Sequence, residues 1–376
     1  MSGLLPDVDP DGLLEFSVVF TDRSLNHMSQ QFQQVMRDIS STLKQVYQAE
    51  GVVMVPGGGT YGMEAVARQF ATGRNVLVIR NGWFSYRWTQ IFEAGSIPAA
   101  ATILKARRSK PGTTEPFAPM PIEEVVATIR KEKPAAVFAP HVETSAGMIL
   151  PDTYIRQVAD AVHEVGGLMV LDCIASGTIW VDMKATGVDV LISAPQKGWS
   201  SSPCAALVML SERALQTIEQ TKSSSFANDL KAWLNIMRTY EKGGHAYHAT
   251  VPTDPLKKFR DTMFESRDIG FDKLKEQQWE LGRAVRKLFA EFGFKSVAAE
   301  GFEAPGVAVF YTDSDVMKTG APFLQQGLQI AAGVPLAVDE GDDYKAFRIG
   351  LFGLDKLQNV ERTVGFLRDA LVKIKA

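Results

Sequence analysis

Two residues near the middle of the chain have the types and spacing for covalent chemistry. Asp172 follows the short apolar run of residues 168–171, and Lys197 follows a second run, 188–192, after Ser193-Ala194-Pro195-Gln196. Runs of four to six mostly branched apolar residues, closed by small and polar ones, read as buried strands. In an open α/β sheet, ligands collect outside the carboxyl ends of such strands. A carboxylate and an amine 25 positions apart can therefore face one site. A lysine beside a buried carboxylate is costly unless something lies between them. Pyridoxal phosphate would satisfy both, with the amine as Schiff base and the carboxylate on the pyridine nitrogen. The plainer reading makes the pair a helix cap and a solvated loop charge, as in most α/β proteins.

Three other stretches could face the same site. Gly57-Gly58-Gly59-Thr60 stands between a strand, 51–56, and a helix that ends at Gly73. Free N–H groups at a first helical turn make a phosphate cradle, and glycines let an anion approach the backbone. Tight turns also use glycine, and no Gly-Lys-Ser/Thr follows to make a nucleotide loop. After strand 75–80 and Asn81-Gly82, four aromatics fall within Trp83–Trp88. They either cover the sheet edge or supply a ring that stacks on a flat cofactor. Strand 135–140 ends in His141-Val142-Glu143-Thr144-Ser145-Ala146-Gly147, a third polar wall.

The elements that must position these residues alternate. An amphipathic helix is expected over 28–49, from the spacing of Met28, Phe32, Val35, Met36, Ile39, Leu43 and Val46. Helices over 122–132 and 152–165 separate the strands, and residues 205–210 form another strand. Residues 98–120, with Lys105, Arg107 and Arg108, read as a solvated loop. The alternation from 51 to 197 predicts an α/β protein with a mostly parallel, doubly wound sheet. Residues 211–242 read as helical, broken at Ser223-Ser224-Ser225, and 243–250 as a turn. His245 and His248 there are three apart, but no third metal ligand is near, so they read as solvated or structural. Long helices follow over 256–266 and 270–292. A strand at 307–312, the segment FRIGLFG and a last helix, 356–374, suggest a smaller C-terminal α+β domain. The expected division is an irregular arm, 1–25, a large domain, 26–255, and a small domain, 256–376.

Bulk properties narrow the classes. The 376 residues are 45% hydrophobic and 22% charged, with net charge -3, as in an ordinary soluble globular protein. A near-neutral balance argues against nucleic acid as the main partner. Two cysteines, Cys173 and Cys204, make no disulfide framework and suit a reducing compartment. The start has no basic region followed by an apolar core, and no apolar run approaches a membrane span. A cytoplasmic protein is expected.

Taken together, the motifs resemble the class V aminotransferases of the pyridoxal phosphate fold type I group, nearest the alanine/serine–glyoxylate branch, over residues 28–372. Gly58-Gly59-Thr60 before Met63-Glu64-Ala65 resembles the family's phosphate loop. Asn81-Gly82-Trp83-Phe84-Ser85-Tyr86-Arg87 resembles the stretch whose fourth residue stacks on the cofactor, which implies Phe84, with Trp83 the alternative. His141 to Gly147 resembles the motif that places Thr144 near the ring's phenolic oxygen. The resemblance puts Asp172 on the pyridine nitrogen, Ile174 under the ring, and Gln196-Lys197 at the Schiff base. Tyr247-His248-Ala249-Thr250 resembles the segment whose Tyr and Thr reach the phosphate of the neighbouring subunit. Arg348-Ile349-Gly350-Leu351-Phe352-Gly353 resembles the segment whose Arg holds the substrate carboxylate.

The resemblance implies a homodimer with active sites at the subunit interface, binding an amino acid and a 2-oxo acid. Its reaction would move an amino group from alanine or serine to glyoxylate or pyruvate. A 2-aminoethylphosphonate donor, a lyase or desulfurase on the same fold, and an effector-binding module are the alternatives. Two departures bear on substrate choice: the family's N-terminal Pro-Gly-Pro stretch is missing, and Thr60 stands where the phosphate loop usually has histidine.

Overall fold

The computed structural model describes residues 13–375; residues 1–12 of the expected arm lie outside them. The apolar runs pair into one sheet. Its strands are β1 (Gly51–Pro56), β2 (Asn75–Arg80), β3 (Ala100–Lys105), β4 (Ala136–Pro140), β5 (Leu168–Asp172), β6 (Val190–Ser193) and β7 (Ala205–Leu210). The spatial order is β1-β7-β6-β5-β4-β2-β3. β2 pairs in parallel with β3 and β4, β4 with β5, and β5 with β6. Only β7 runs against its neighbours, β6 and β1. Every residue of β4 to β7 is buried, which is why those segments read as unbroken apolar runs rather than alternating ones.

Helices make the crossovers. α1 (Gln30–Tyr47) precedes the sheet and is capped by Ser29, whose hydroxyl accepts the Phe32 N–H. It buries Phe32, Val35, Met36, Ile39 and Leu43 of the expected stripe, while Val46 is half-buried and Met28 lies exposed before the helix begins. α2 (Gly59–Phe70) joins β1 to β2, and α3 (Trp83–Gly95) joins β2 to β3. α4 (Ile122–Glu132) and α5 (Asp152–Glu164) precede β4 and β5. The chain runs from β2 out to β3, then back to β4 on the other side of β2. That reversal opens a crevice at the carboxyl ends of the strands.

Two sequence readings change. Residues 98–120 are not wholly a solvated loop: residues 100–105 form the edge strand β3, and Arg107–Arg108 pairs with Phe117–Ala118. An edge strand is covered on fewer sides, and β3 is half-buried at best, so its pattern lacks the continuous apolar signal. The aromatics from Trp83 to Trp88 do not cluster around a strand end. They occupy the first two turns of α3, with only Trp88 fully buried among them.

Beyond the sheet, α6 (Glu212–Gln220) and α7 (Leu230–Glu241) flank the serine run, and α8 (Thr253–Ile269) and α9 (Phe271–Glu291) follow. Leu256, Phe259 and Met263 of α8 belong to the core of the main sheet. β8 (Val307–Tyr311), β9 (Ala331–Ala332) and β10 (Ala346–Gly350) make an antiparallel sheet in the order β8-β10-β9. α9 and the last helix, α10 (Val360–Lys375), pack on it around Phe289, Phe310, Phe347 and Leu371. The rings of Phe289 and Phe310 stack with centroids 4.5 Å apart. Among the described residues no helix is long and apolar enough to cross a membrane.

Candidate active site

Three adjacent strands end level with one another. Pro140 of β4 and Ile192 of β6 are the register partners of Asp172 on β5. The next residues hold the ends together: the His141 N–H donates to the Asp172 carbonyl at 2.8 Å, and Cys173 N–H to the Ile192 carbonyl at 2.7 Å. Asp172 is 8% exposed. Its Oδ1 accepts the Ile174 N–H at 2.9 Å. Burial pushes its carboxyl up to about 7. The Ile174 N–H opposes that rise, Glu143 adds to it, and Arg87 opposes it.

Lys197 follows β6 in a tight loop. Ser200 N–H donates to the Lys197 carbonyl and Ser201 N–H to the Pro195 carbonyl. Gly198 presses on the loop after β5: a Cβ there would lie 2.0 Å from the Gly177 carbonyl oxygen. Only a residue without a side chain fits, so the lysine loop and the Asp172 loop are locked against each other. Lys197 Nζ lies 5.3 Å from the centroid of the Phe352 ring. Burial lowers the Lys197 ammonium pKa, and the Arg348 charge lowers it further.

Asp172, Lys197 and Arg348 line one cavity of about 450 Å³. Gly59, Thr60, Phe84, Thr144, Ile174 and Gln196 line it too. Gly58 is the N-cap of α2, immediately before Gly59. Tyr247 and Thr250 do not line the cavity. Their hydroxyls are 3.2 Å apart on an exposed loop, and the Tyr247 ring packs 5.7 Å from His27.

The glycine loop leads directly into α2. Gly58 caps α2 without a side chain. Among the described residues, the N–H groups of Gly59 and Thr60 have no acceptor, as the first turn of a helix requires unless a ligand supplies one. A Cβ on Gly59 would meet Ile174 Cδ1 at 2.4 Å. Glycine thus lets the helix end close over the residue two places beyond Asp172.

A buried carboxylate sets the position of Phe84. Glu143, wholly buried, accepts the backbone N–H of Phe84 and Ser85 at 3.1 and 2.9 Å. It also accepts the hydroxyls of Ser85 and Ser145, each at 2.7 Å. Ser145 Oγ in turn accepts the Trp83 N–H at 2.9 Å. The first N–H groups of α3 are thereby satisfied by β4's extension rather than by a capping residue of their own. The negative charge sits at the positive end of the helix dipole.

Arg348, on β10, donates from Nε to the Ala332 carbonyl at 2.8 Å. Its Cζ is 5.6 Å from the Phe84 ring centroid, and no carboxylate pairs with it among the described residues. Burial lowers its pKa, with Glu143 and Tyr344 opposing. Arg87, Glu143 and Phe352 belong to the site or its support but were not singled out from the sequence. All three lay inside stretches already noted, and only the fold shows which positions of those stretches turn inward. Both cysteines are buried and neither lines the cavity. Burial raises both thiols, Cys204 to about 11, so neither has the character of a nucleophile.

The aminotransferase class-V family model matches residues 15–334. The chain belongs to the class V aminotransferases. It is 25% identical over 360 residues to the alanine–glyoxylate aminotransferase of Oryctolagus cuniculus, covering 92% of this chain and 86% of that protein. The solved alanine–glyoxylate aminotransferase from Nostoc sp. superposes with a TM-score of 0.77 at 24% identity, over 93% of this chain and 89% of that one. An aspartate aminotransferase of subgroup IV from Thermus thermophilus gives 0.76 at 25% identity, over 93% of each chain. The fold is therefore PLP fold type I, and the protein is a PLP-dependent aminotransferase.

The cavity suits that cofactor on its own terms. Oδ2 of the buried Asp172 has no partner among the described residues, so a cationic ring nitrogen would complete an unfinished pair. The free N–H groups of α2 offer a phosphate seat, and Lys197 stands in the same space.

Proposed function

We propose that this aminotransferase moves an amino group from alanine or serine to glyoxylate or pyruvate. The observation that carries the reading is the convergence of Asp172, Lys197 and Arg348 on one cavity. When bound, pyridoxal phosphate supplies an electron-withdrawing ring that takes up the charge left at the substrate Cα.

The chain's own groups have separate tasks in this reading. Lys197 would anchor the cofactor covalently, and its neutral amine would serve as the base that takes up the substrate Cα proton. A lysine with a lowered pKa is neutral more often near neutral pH, which that step needs. Asp172 would supply a negative charge for the ring nitrogen. Phe84 would offer the ring a flat face, and Ile174 and Thr144 would bound it. Gln196 would line the same pocket beside Lys197. Arg348 grips the α-carboxylate with a planar fork, which orients the Cα–H bond. Gly58, Gly59 and Thr60 would hold the phosphate. Tyr247 and Thr250 are exposed and outside their own cavity, which supports a homodimer in which they serve the partner's site. We place the protein in the cytoplasm.

The buried, cavity-averse cysteines weigh against a desulfurase. A 2-aminoethylphosphonate donor has no α-carboxylate, and the free fork of Arg348 favours donors that do.

The test is a half-reaction screen on holoprotein. Alanine or serine should bleach the visible absorbance, and glyoxylate or pyruvate should restore it. Lys197→Ala should lose the borohydride-reducible absorbance. Bleaching by 2-aminoethylphosphonate alone would replace the proposed donor; no bleaching by any amino donor would leave an effector-binding module.

A further inference from the structure

Arg87 has no assigned part in the site, yet its position is unusual. It lies three residues after Phe84 on α3, so both side chains leave one face of the helix. Its Cζ is 5.4 Å from the Phe84 ring centroid. Its Nη1 donates to Thr60 Oγ1 at 3.1 Å. Thr60 lies in the first turn of α2, where the N–H groups of Gly59 and Thr60 lack acceptors among the described residues. Thr60 is the one hydrogen-bond partner given to the Arg87 guanidinium among those residues, and no carboxylate pairs with it. Most of its five N–H donors therefore have no protein acceptor among those residues, and Arg87 lines the cavity.

The cavity thus holds two guanidiniums around one aromatic ring. Arg348 approaches Phe84 from β10, beside Ala332. Arg87 approaches it from α3 and reaches the end of α2. Two cations so placed address two different anions. We infer that Arg87 is a phosphate ligand, holding the cofactor's phosphate together with the Thr60 hydroxyl and the α2 N–H groups, while Arg348 is left for the substrate. This rests on the cofactor site proposed above. A guanidinium offers phosphate a planar fork of charge-assisted bonds. A free helix N-terminus adds donors on the adjacent side.

The experiment compares wild-type apoprotein with Arg87→Met and Arg87→Lys. Each is titrated with pyridoxal phosphate and with pyridoxal, which lacks the phosphate, and binding is followed by tryptophan fluorescence. Arg87→Met should weaken pyridoxal phosphate binding about 10- to 100-fold and leave pyridoxal binding unchanged, which also shows that the variant is folded. Arg87→Lys should fall between. Inorganic phosphate should raise the thermal midpoint of wild-type apoprotein and not that of Arg87→Met. Equal loss of both ligands, or loss of neither, overturns the inference. So does unchanged cofactor affinity with a raised KM for a dicarboxylic donor, which would hand Arg87 to the substrate. A wild-type protein that binds neither aldehyde sinks the cofactor site itself, and this inference with it; normal wild-type binding with an unaffected Arg87→Met sinks this inference alone.

Discussion

The Glu143 carboxylate accepts the backbone N–H of Phe84 at 3.1 Å, across 59 positions of sequence. That bond, with those from Ser85 and the Ser145 hydroxyl, ties the start of α3 to the end of β4. The Phe84 ring, which lines the cavity, is held by the backbone beneath it. Glu143→Ala strands several buried donors at once, and each lost bond to a charged group costs about 1.5 to 3 kcal/mol. The expected outcome is a fall in thermal midpoint together with weaker cofactor binding. Phe84→Leu should weaken cofactor binding with little loss of stability. Melting curves and fluorescence titrations of both variants separate support from contact.

Asp172 gives a pH dependence of definite sign. Its folded carboxyl is raised from the usual 3.8 to about 7 by burial. The folded state therefore binds this proton more tightly than the unfolded chain does. The stabilisation is complete below about pH 4 and is lost as pH rises towards 7. Apoprotein of Asp172→Asn should lack that decline, so the difference in thermal midpoint between it and wild type should grow in favour of the variant over this window. Holoprotein should show the reverse order at pH 8, because the variant has no charge to offer the ring nitrogen. A difference that does not change with pH would remove the burial argument.

Arg348→Lys tests the fork. A lysine keeps the charge but offers one ammonium in place of two parallel N–H donors. We expect kcat/KM for the amino donor to fall about 10- to 100-fold, which corresponds to one charge-assisted bond, with cofactor affinity unchanged. Steady-state kinetics with the donor found in the half-reaction screen provide the measurement.

Gly198→Ala tests the lock between two loops. The new methyl would lie 2.0 Å from the Gly177 carbonyl oxygen, a backbone atom. One loop follows Asp172 and the other carries Lys197, the residues with roles in the proposed function, so a shift in one loop displaces the other. The variant should lose stability by about 1 to 3 kcal/mol and form the borohydride-reducible absorbance more slowly. A variant as stable and as active as wild type would show that the loops move independently.

Much of this molecule is legible in its residue order. Strands buried on both faces leave unbroken apolar runs, so β4 to β7 and the parallel sheet could be read directly. Glycine, aspartate and lysine at the strand ends announced a site because ends of parallel strands meet at one edge. The edge strand β3 was hidden, since half-exposed residues 100–105 give no such run. The aromatics of 83–88 concealed a helix, because bulk spoke louder than spacing there.

Sequence alone determined which functional groups the chain can bring to a site, an amine, a carboxylate and a guanidinium, while burial in the fold set their protonation. It also determined the layered α/β plan, since periodicity depends only on neighbours along the chain. Tertiary structure decided which groups share a space. That Glu143 serves α3, that Gly198 must yield to Gly177, and that Arg87 reaches Thr60 depend on contacts between distant segments. Such contacts leave no local periodicity, so no reading of neighbouring residues can reveal them.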